Sequence, residues 1–324
     1  MKKALVSLAI SLLTCLPLFT GHAAAQYPDR PIRIVVPYAP GGSTDIAARL
    51  VAKGLGQTLN TNVVVLNQPG ASGNIGAAAV ARSAPDGYTV LFMGSGIASA
   101  PSMKEVTFDL RKDLAPVSRV VSSQFSILVN PSLKIETLQQ FLAHARANPG
   151  KLDMACSGLL TAAHFALESF RQAAGIDFQT IQFNGNAPAA LAMMTGEPPA
   201  GIDAAFSAKS AVASGKLRAL AVTGAKRSPS LPNVPTVSEA GIPGFEAGFS
   251  LVMLVPGATP KPIIEKLHQA VVTTLKDPAV AQQLEAQGYD LVGNSPAEFA
   301  RELEADIKAN EIFIGGLRKA GVVP

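Results

Sequence analysis

Short apolar runs alternate with longer amphipathic segments along most of the chain. The runs are rich in Val, Ile and Leu and do not alternate with polar residues, which is typical of strands covered on both faces of a sheet. They predict strands at 32–36, 63–66, 89–93, 126–129, 218–223 and 251–255.

Between these runs, apolar residues recur every three or four positions. This spacing predicts helices over 45–59, 262–276 and 298–307, and Pro262 suits a first helical turn. Strands that alternate with helices predict an α/β protein with largely parallel sheets.

The first 25 residues follow a different pattern. A basic start at Lys2 and Lys3 precedes an apolar stretch over 4–19, and the segment ends in three alanines at 23–25. This predicts a cleaved secretory signal over 1–25. An uncleaved membrane anchor is the alternative, and it is disfavoured because the run is short for a span and contains Pro17.

Composition limits the class of protein. Of 324 residues, 48% are hydrophobic and 15% charged, which excludes intrinsic disorder, and the length predicts two lobes. Loss of the signal removes Lys2 and Lys3 and leaves a net charge of +2. There is no basic cluster, so we expect no nucleic-acid partner.

Cysteine and histidine usage argues against disulfides and metals. After cleavage Cys156 is the only cysteine, so no internal disulfide can form. His144, His164 and His268 have no metal-ligand spacing, and we predict neither a metal nor a cofactor.

No flexible linker separates the predicted lobes. The proline-rich stretch 228–243 indicates an ordered connection, so the chain is expected to cross between lobes more than once, at 123–130 and 248–256. The predicted division is lobe 1 at 26–124 plus 250–324 and lobe 2 at 125–249.

The segment PYAPGGSTD (37–45) lies between a predicted strand and a predicted helix. Gly41 and Gly42 permit close backbone approach, and Ser43, Thr44 and Asp45 are all N-cap types. Free N–H groups at such a helix start favour an anion, although a capped turn without a ligand is also compatible. The spacing fits neither a Walker loop nor a dinucleotide fingerprint.

Three further glycine-rich turns, at 68–76, 155–161 and 184–188, also lead into predicted helices. Four such turns, divided between both halves of the chain, favour a small anionic ligand held between two lobes.

A catalytic alternative would combine Cys156, His164 and Asp203. The spacing of Cys156 and His164 across a helix start does not ensure contact, and a lone cysteine is more often a buried filler. His164 and Glu168 have the spacing of a surface helix pair. Asp203 fits either a strand end that faces the crevice or a loop cap.

At these turns the sequence resembles the Bug or TctC-like family, the periplasmic solute receptors of tripartite tricarboxylate transporters. The resemblance covers essentially the whole mature chain. It rests on YPDRPI (27–32), VPYAPGGSTD (36–45), NQPGASGNIG (67–76), PDGYT (85–89), GKLRALAVT (215–223), KRSP (226–229) and VPT (234–236), continuing to Gly241.

This resemblance implies a two-lobed α/β periplasmic-binding-protein fold of type II, the Venus flytrap, which closes on a small carboxylate or related polar molecule. It implies a monomer in the periplasm that delivers its ligand to a membrane permease, with a membrane sensor kinase as the alternative partner. The implied ligand-binding residues are Tyr38, Ala39, Gly41, Gly42, Ser43, Thr44, Asp45, Ser95, Ser157, Gly158, Thr161, His164, Asn184, Gly185 and Asp203.

Several positions depart from the family pattern. The family's Gly-Ser-Ser is Leu160-Thr161-Ala162 here, its Lys is Asn184, and its frequent aromatic is Ser250. The stretch 197–201 carries Pro198 and Pro199 in place of a Val-Asp strand, and the loop 94–106 is shortened. Less charge and more apolar surface predict a monocarboxylate, or an aromatic or amide-bearing ligand, rather than citrate.

Overall fold

The computed structural model of the chain describes residues 27–103, 105–319 and 321, so the predicted signal lies outside the described residues. The strands in these ranges are β1 (Ile32–Val36), β2 (Val63–Asn67), β3 (Thr89–Gly94), β4 (Leu114–Val129), β5 (Asp153–Cys156), β6 (Gln179–Gln182), β7 (Ala200–Ala204), β8 (Arg218–Val222), β9 (Gly248–Pro256) and β10 (Asp290–Leu291).

The helices are α1 (Ser43–Leu59), α2 (Asn74–Ala81), α3 (Leu110–Asp113), α4 (Leu138–Ala147), α5 (Ala162–Ala174), α6 (Asn186–Thr195), α7 (Ala205–Ala213), α8 (Lys261–Lys276), α9 (Pro278–Ala286) and α10 (Pro296–Lys319). A 3₁₀ segment covers Ser95–Ser102. Among the described residues, no helix combines the length and the apolar character needed to cross a membrane.

The strands form a mixed α/β sheet in the order β2-β1-β3-β9-β4-β7-β5-β6. β1 is parallel to β2 and β3, and β5 is parallel to β6 and β7. The long strand β4 is antiparallel to β9 as far as Gln124 and to β7 from Phe125 onward. We use the predicted division as labels: lobe 1 is 27–124 with 250–319, and lobe 2 is 125–249.

The sheet of lobe 1 is covered on both faces. Ile34 of β1 packs with Val51 and Leu55 of α1 on one face. Val35, the next residue of β1, packs on the other face with Ala77 of α2 and with Phe299 at the start of α10. Two covered faces explain why the β1 run shows no polar alternation.

The strand at β2 differs from its prediction as a strand covered on both faces. Val64 is 39% exposed and Leu66 is 43% exposed, and they alternate with half-buried residues. β2 is the last strand in the sheet order. Val63 and Val65 pack against the core that includes α1, whereas the other face of the strand is exposed. An apolar run alone does not distinguish an edge strand from a central one.

The two prolines at 198 and 199 do not prevent a strand. β7 begins after them at Ala200, and the carbonyl of Pro199 accepts a hydrogen bond from the Asn130 N–H at 2.7 Å. β7 is buried between β4 and β5, and a Cβ built on Gly201 would lie 2.6 Å from the Ala155 carbonyl oxygen. This strand carries Asp203 to its carboxyl end.

Helix ends were predicted unequally well. α5 (Ala162–Ala174) begins directly after the turn predicted at 155–161 and ends before Gly175, which has a left-handed φ of +58°. α10 extends twelve residues beyond the predicted end at Ile307. Its second half contains Gly315 and Gly316 and loses the regular apolar spacing. Ile314 and Leu317 of this half pack with Leu160 of lobe 2, and Glu311 pairs with Arg111 of lobe 1.

We predict that Gly201→Ala destabilises the protein by about 1–3 kcal/mol, because overpacking a core shifts backbone or side chains. Urea unfolding measures this. Gly316→Ala is the matched control, because a Cβ there meets no atom within 4 Å and should add up to about 1 kcal/mol of stability. Equal midpoints for the two variants would contradict the close approach at Gly201.

Candidate ligand-binding site

The turn before α1 is held by Asp45. Its carboxylate accepts hydrogen bonds from the Gly41 N–H at 2.9 Å, from Arg49 at 3.0 Å and from Asn67 at 2.9 Å. Burial opposes ionisation, but the hydrogen bonds from Arg49, Gly41 and Asn67 outweigh it and lower the pKa of Asp45. Asp45 and the Gly41 N–H, both expected at the ligand, are therefore occupied in shaping the turn.

The next backbone groups of this turn are uncommitted. The N–H groups of Ser43 and Thr44, in the first turn of α1, donate to no atom of the described residues. This is the normal condition of a helix start, where the first N–H groups lack intrahelical acceptors. Both residues are buried, so these donors face the inside of the molecule.

The start of α6, in lobe 2, lies directly opposite. A Cβ built on Gly42 would be 3.6 Å from the backbone nitrogen of Ala187, and one on Gly185 would be 3.5 Å from the backbone nitrogen of Ala39. Gly185 has a φ of +115°, and its N–H donates to the Ser157 carbonyl at 3.1 Å. Two helix N-termini thus meet between the lobes, and each carries a partial positive charge.

Asp203 lies beside this meeting point. One carboxyl oxygen, Oδ1, accepts from the Asn186 side chain and from the Ala204 N–H at 2.7 Å. The other, Oδ2, is buried and has no partner among the described residues. Burial raises the pKa of Asp203 to about 7, against the opposing effect of these two hydrogen bonds.

Two cavities border the predicted turns. One of about 470 Å³ is lined by Gly41, Gly42, Asn186, Asp203, Phe206 and Lys209, among others. One of about 300 Å³ is lined by Ser72, Asn74, Gly158, Phe183 and Asn184, among others. All four glycine-rich turns therefore come together between the lobes.

A larger cavity, of about 920 Å³, is lined by residues of both lobes, among them Arg119, Phe165 and Ser250, and includes only Ser95 of the predicted ligand-binding residues. Ser250, at the position where the family often has an aromatic, accepts from Arg119 at 2.8 Å and donates its N–H to Ser95 at 3.2 Å. Ser95 and Ser250 therefore belong to a polar network around Arg119.

Other predicted residues support the lobe 2 turn. The Thr161 hydroxyl donates to the Gly158 carbonyl at 2.8 Å and accepts from the His164 N–H at 3.4 Å, which caps α5. The Ser157 hydroxyl lies 3.5 Å from it. Asn184 is exposed at the rim, and Tyr38 is half-buried beside Gly185 and Gly94.

His164 is occupied within lobe 2. Its Nδ1 accepts from the Leu160 N–H at 3.1 Å, and its Nε2 lies 3.8 Å from Glu168, which pairs with Arg171 at 2.7 Å. Burial, with Arg171, lowers the pKa of His164 to about 4. His164 and Glu168 are each 1% exposed, so the prediction of a surface pair is wrong. α5 turns this face inward, and Arg171 compensates the carboxylate.

Cys156 does not have the environment of a nucleophile. It is fully buried at the end of β5, and burial raises the pKa of its thiol to about 12. Its sulfur contacts the Gly158 carbonyl oxygen at 3.6 Å. Among the described residues, no group of three His, Cys, Asp or Glu side chains could hold a metal ion.

Leu160 packs between the lobes. It has a left-handed φ of +54°, and its side chain packs with Ile314 and Leu317 of α10. Its carbonyl accepts a hydrogen bond from Ser99 of lobe 1 at 2.9 Å. Leu160, which replaces a small residue of the family pattern, therefore joins lobe 2 to lobe 1. It lines neither the 470 Å³ cavity nor the 300 Å³ cavity.

Sequence reasoning missed two residues at this site. Asn186, which donates a hydrogen bond to Asp203, lies in the predicted turn at 184–188. A polar side chain at a helix start was the sequence feature that could have indicated it. Tyr289 donates its hydroxyl to the Ser43 carbonyl at 2.9 Å and so fixes the start of α1. It lies 246 residues away in the sequence, and no local pattern indicates this contact.

We predict that Leu160→Ala weakens the contact between the lobes, because truncating a buried Leu costs about 2–5 kcal/mol. X-ray scattering should show a larger radius of gyration than for the wild type. Leu191→Ala, at a lobe 2 position that is 60% exposed, is the control and should scatter like the wild type. Unchanged scattering with a lowered unfolding midpoint would place the role of Leu160 within lobe 2 alone.

Comparison with known proteins identifies the family to which the chain belongs. The sequence model of the tripartite tricarboxylate transporter family receptor, TctC, matches residues 47–316. Protein BugT of Bordetella pertussis (strain Tohama I) is 36% identical over 277 residues, which cover 85% of this chain and 85% of that protein.

Two solved structures are similar over nearly their whole length. The periplasmic binding protein BugD is 32% identical, with a TM-score of 0.85, and the match covers 91% of this chain and 99% of that one. R. palustris Rpa4515, solved with adipate, is 31% identical, with a TM-score of 0.86 and coverage of 92% and 99%. The α/β fold is thus that of periplasmic binding proteins, as predicted, and the chain belongs to the family of tripartite tricarboxylate transporter receptors.

Proposed function

We propose that this chain captures a small carboxylate between its lobes in the periplasm and delivers it to the permease of a tripartite tricarboxylate transporter. The observation that carries the proposal is the meeting of two helix N-termini, from α1 and α6, beside the 470 Å³ cavity. Anions bind at such ends because the N–H groups point at them and the helix dipole favours negative charge.

The proposed contacts come mainly from the backbone. The N–H groups of Ser43 and Thr44 would hold the carboxylate from lobe 1, and those of Asn186 and Ala187 would close on it from lobe 2. A hydrogen bond to a charged group contributes about 1.5–3 kcal/mol. Three or four of them, less the cost of association, reach about −8 kcal/mol, which corresponds to micromolar affinity.

The cavity supports a ligand of low charge. Of the described residues that line the 470 Å³ cavity, Lys209 is the only cation, and it is exposed at the rim. A tricarboxylate would leave two carboxylates without compensation there. Adipate, which the similar Rpa4515 was solved with, has two, separated by a chain of four methylenes. We propose a mono- or dicarboxylate.

We further propose that the protein is a receptor without catalytic activity and that its first 25 residues are a signal peptide. The buried Cys156, with its raised pKa, supports the first point, because the thiolate and not the thiol is the nucleophile.

The test is a thermal-shift series with butyrate, adipate, citrate and sulfate, alongside native mass spectrometry of freshly purified protein. A ligand at 100 times its Kd adds about 2.7 kcal/mol, which raises the unfolding temperature by roughly 5 °C or more. We expect stabilisation by butyrate or adipate and none by citrate or sulfate. If no carboxylate stabilises the protein, the proposed function is wrong.

We predict that Gly42→Val abolishes carboxylate binding without unfolding the protein. Gly42 has a φ of −79°, which any residue adopts, but the branched methyl groups would strike the start of α6. Gly42→Ala is the matched control, because a Cβ alone reaches only ordinary contact distance at 3.6 Å. Calorimetry should show binding for the Ala variant and none for the Val variant; equal affinities would exclude this turn from the site.

A further inference from the structure

We propose that Asp203 binds the ligand carboxylate as a neutral acid, so that the bound receptor holds one proton on this carboxyl group together with the anion. The inference rests on the proposed function, since it assigns a chemical role to one residue of that site. It follows from the hydrogen bonds of the two carboxyl oxygens of Asp203 and from the charged groups around them.

The hydrogen bonds fix where a proton must lie. Oδ1 accepts from two donors, the Asn186 side chain and the Ala204 N–H, so a proton on Oδ1 would face other hydrogens. Oδ2 is buried and has no partner among the described residues. The proton therefore belongs on Oδ2, where it forms an O–H donor beside the meeting helix N-termini. A buried O–H group without an acceptor costs free energy, and an oxygen of the ligand carboxylate would accept this hydrogen bond.

Among the described residues, no cation is paired with Asp203. Tyr289, across from it, is neutral because burial raises its pKa, and its hydroxyl already donates to Ser43. On α1, Asp45 is paired with Arg49. On α7, Lys209 is exposed at the cavity rim. β4 contributes Ser126, whose hydroxyl donates to the Asp203 carbonyl at 3.1 Å.

An ionised Asp203 would therefore face the ligand carboxylate as a second anion in a buried site. Two carboxylates that share a site do not both ionise, and one retains a proton. A neutral Asp203 removes this repulsion and adds a hydrogen bond from its Oδ2–H to the ligand. The same arrangement explains how the site holds an anion without an arginine.

The proton balance gives a pH profile. The pKa of Asp203 is raised to about 7, so below pH 7 the acid is already protonated and binding moves no proton. Above pH 7 the free receptor is ionised, and each binding event takes one proton from solvent onto Oδ2. Affinity should then be constant from about pH 5.5 to 7 and fall about tenfold for each pH unit above 7.

Calorimetry with adipate, or with whichever carboxylate of the series stabilises the wild type, tests this at pH 6.0 and 8.5. Measurements at each pH in two non-anionic buffers that titrate near that pH, and whose ionisation enthalpies differ, count the protons exchanged. We expect close to one proton taken up at pH 8.5 and close to none at pH 6.0. Zero uptake or proton release at pH 8.5 would overturn the inference while leaving the proposed function intact.

Asp203→Asn sharpens the test. The amide oxygen can keep both contacts of Oδ1, and the amide N–H₂ then stands where the Oδ2–H was. This variant should bind at least tenfold more tightly than the wild type at pH 8.5 and take up no proton. Asp203→Ala, which lacks the donor, should bind weakly at both pH values. Asp177→Asn, at an exposed lobe 2 acid, is the control and should keep the wild-type profile.

The pH dependence of unfolding, measured without ligand, distinguishes failure of this inference from failure of the proposed function. Because the folded pKa of Asp203 lies above its unfolded value near 3.8, the stability that the neutral acid contributes is lost as pH rises toward 7. Asp203→Asn should remove this loss from the unfolding profile of the free protein. An unchanged profile would overturn the inference, whereas failure of every carboxylate to bind the wild type at both pH values would overturn the proposed function and the inference with it.

Discussion

The first turns of α1 and α6 point at each other across the two lobes, and the N–H groups of Ser43 and Thr44 have no acceptor among the described residues. Each helix start carries about half a positive charge, so the two ends repel unless an acceptor lies between them. Asp203 supplies one carboxyl group here, and one of its oxygens is already bound to Asn186. The proposed ligand carboxylate provides the remaining acceptors, so the ligand itself completes the contact between the lobes.

Other contacts hold the lobes together independently of any anion. The Ser99 hydroxyl bonds to the Leu160 carbonyl, and Phe165 of α5 meets Phe313 of α10 edge to face at 5.6 Å. These apolar and neutral contacts oppose the repulsion between the helix starts. Under the proposed function, the contact between the lobes is then a balance of two terms of opposite sign, and a bound anion would reverse the sign of one of them. Such a balance would make the contact between the lobes depend on the ligand.

Features with a local physical cause could be predicted from the sequence. The β1 run is covered on both faces, and α5 follows the turn at 155–161 as predicted. Features that depend on distant residues could not: β2 lies at a sheet edge, and the second half of α10 is held by Leu160. At the candidate site, the sequence predicts the four glycine-rich turns. It does not predict the ion pair of Asp45 with Arg49 or the hydrogen bond from Tyr289 to Ser43, because both depend on tertiary packing.

In the proposed site, the groups that hold the anion are mostly backbone N–H groups, and this has a consequence for specificity. Of all substitutions only proline removes a backbone donor, so the anchor for one carboxylate persists through most changes of the surrounding side chains. Asn184, at the rim, would contact the part of the ligand beyond its carboxylate. Leu160 instead packs at the contact between the lobes, and Ser250 belongs to the polar network around Arg119. Asp203 is the exception, because its donor depends on a proton. Ligand choice can therefore diverge by changes at the rim, while the response to pH depends on Asp203.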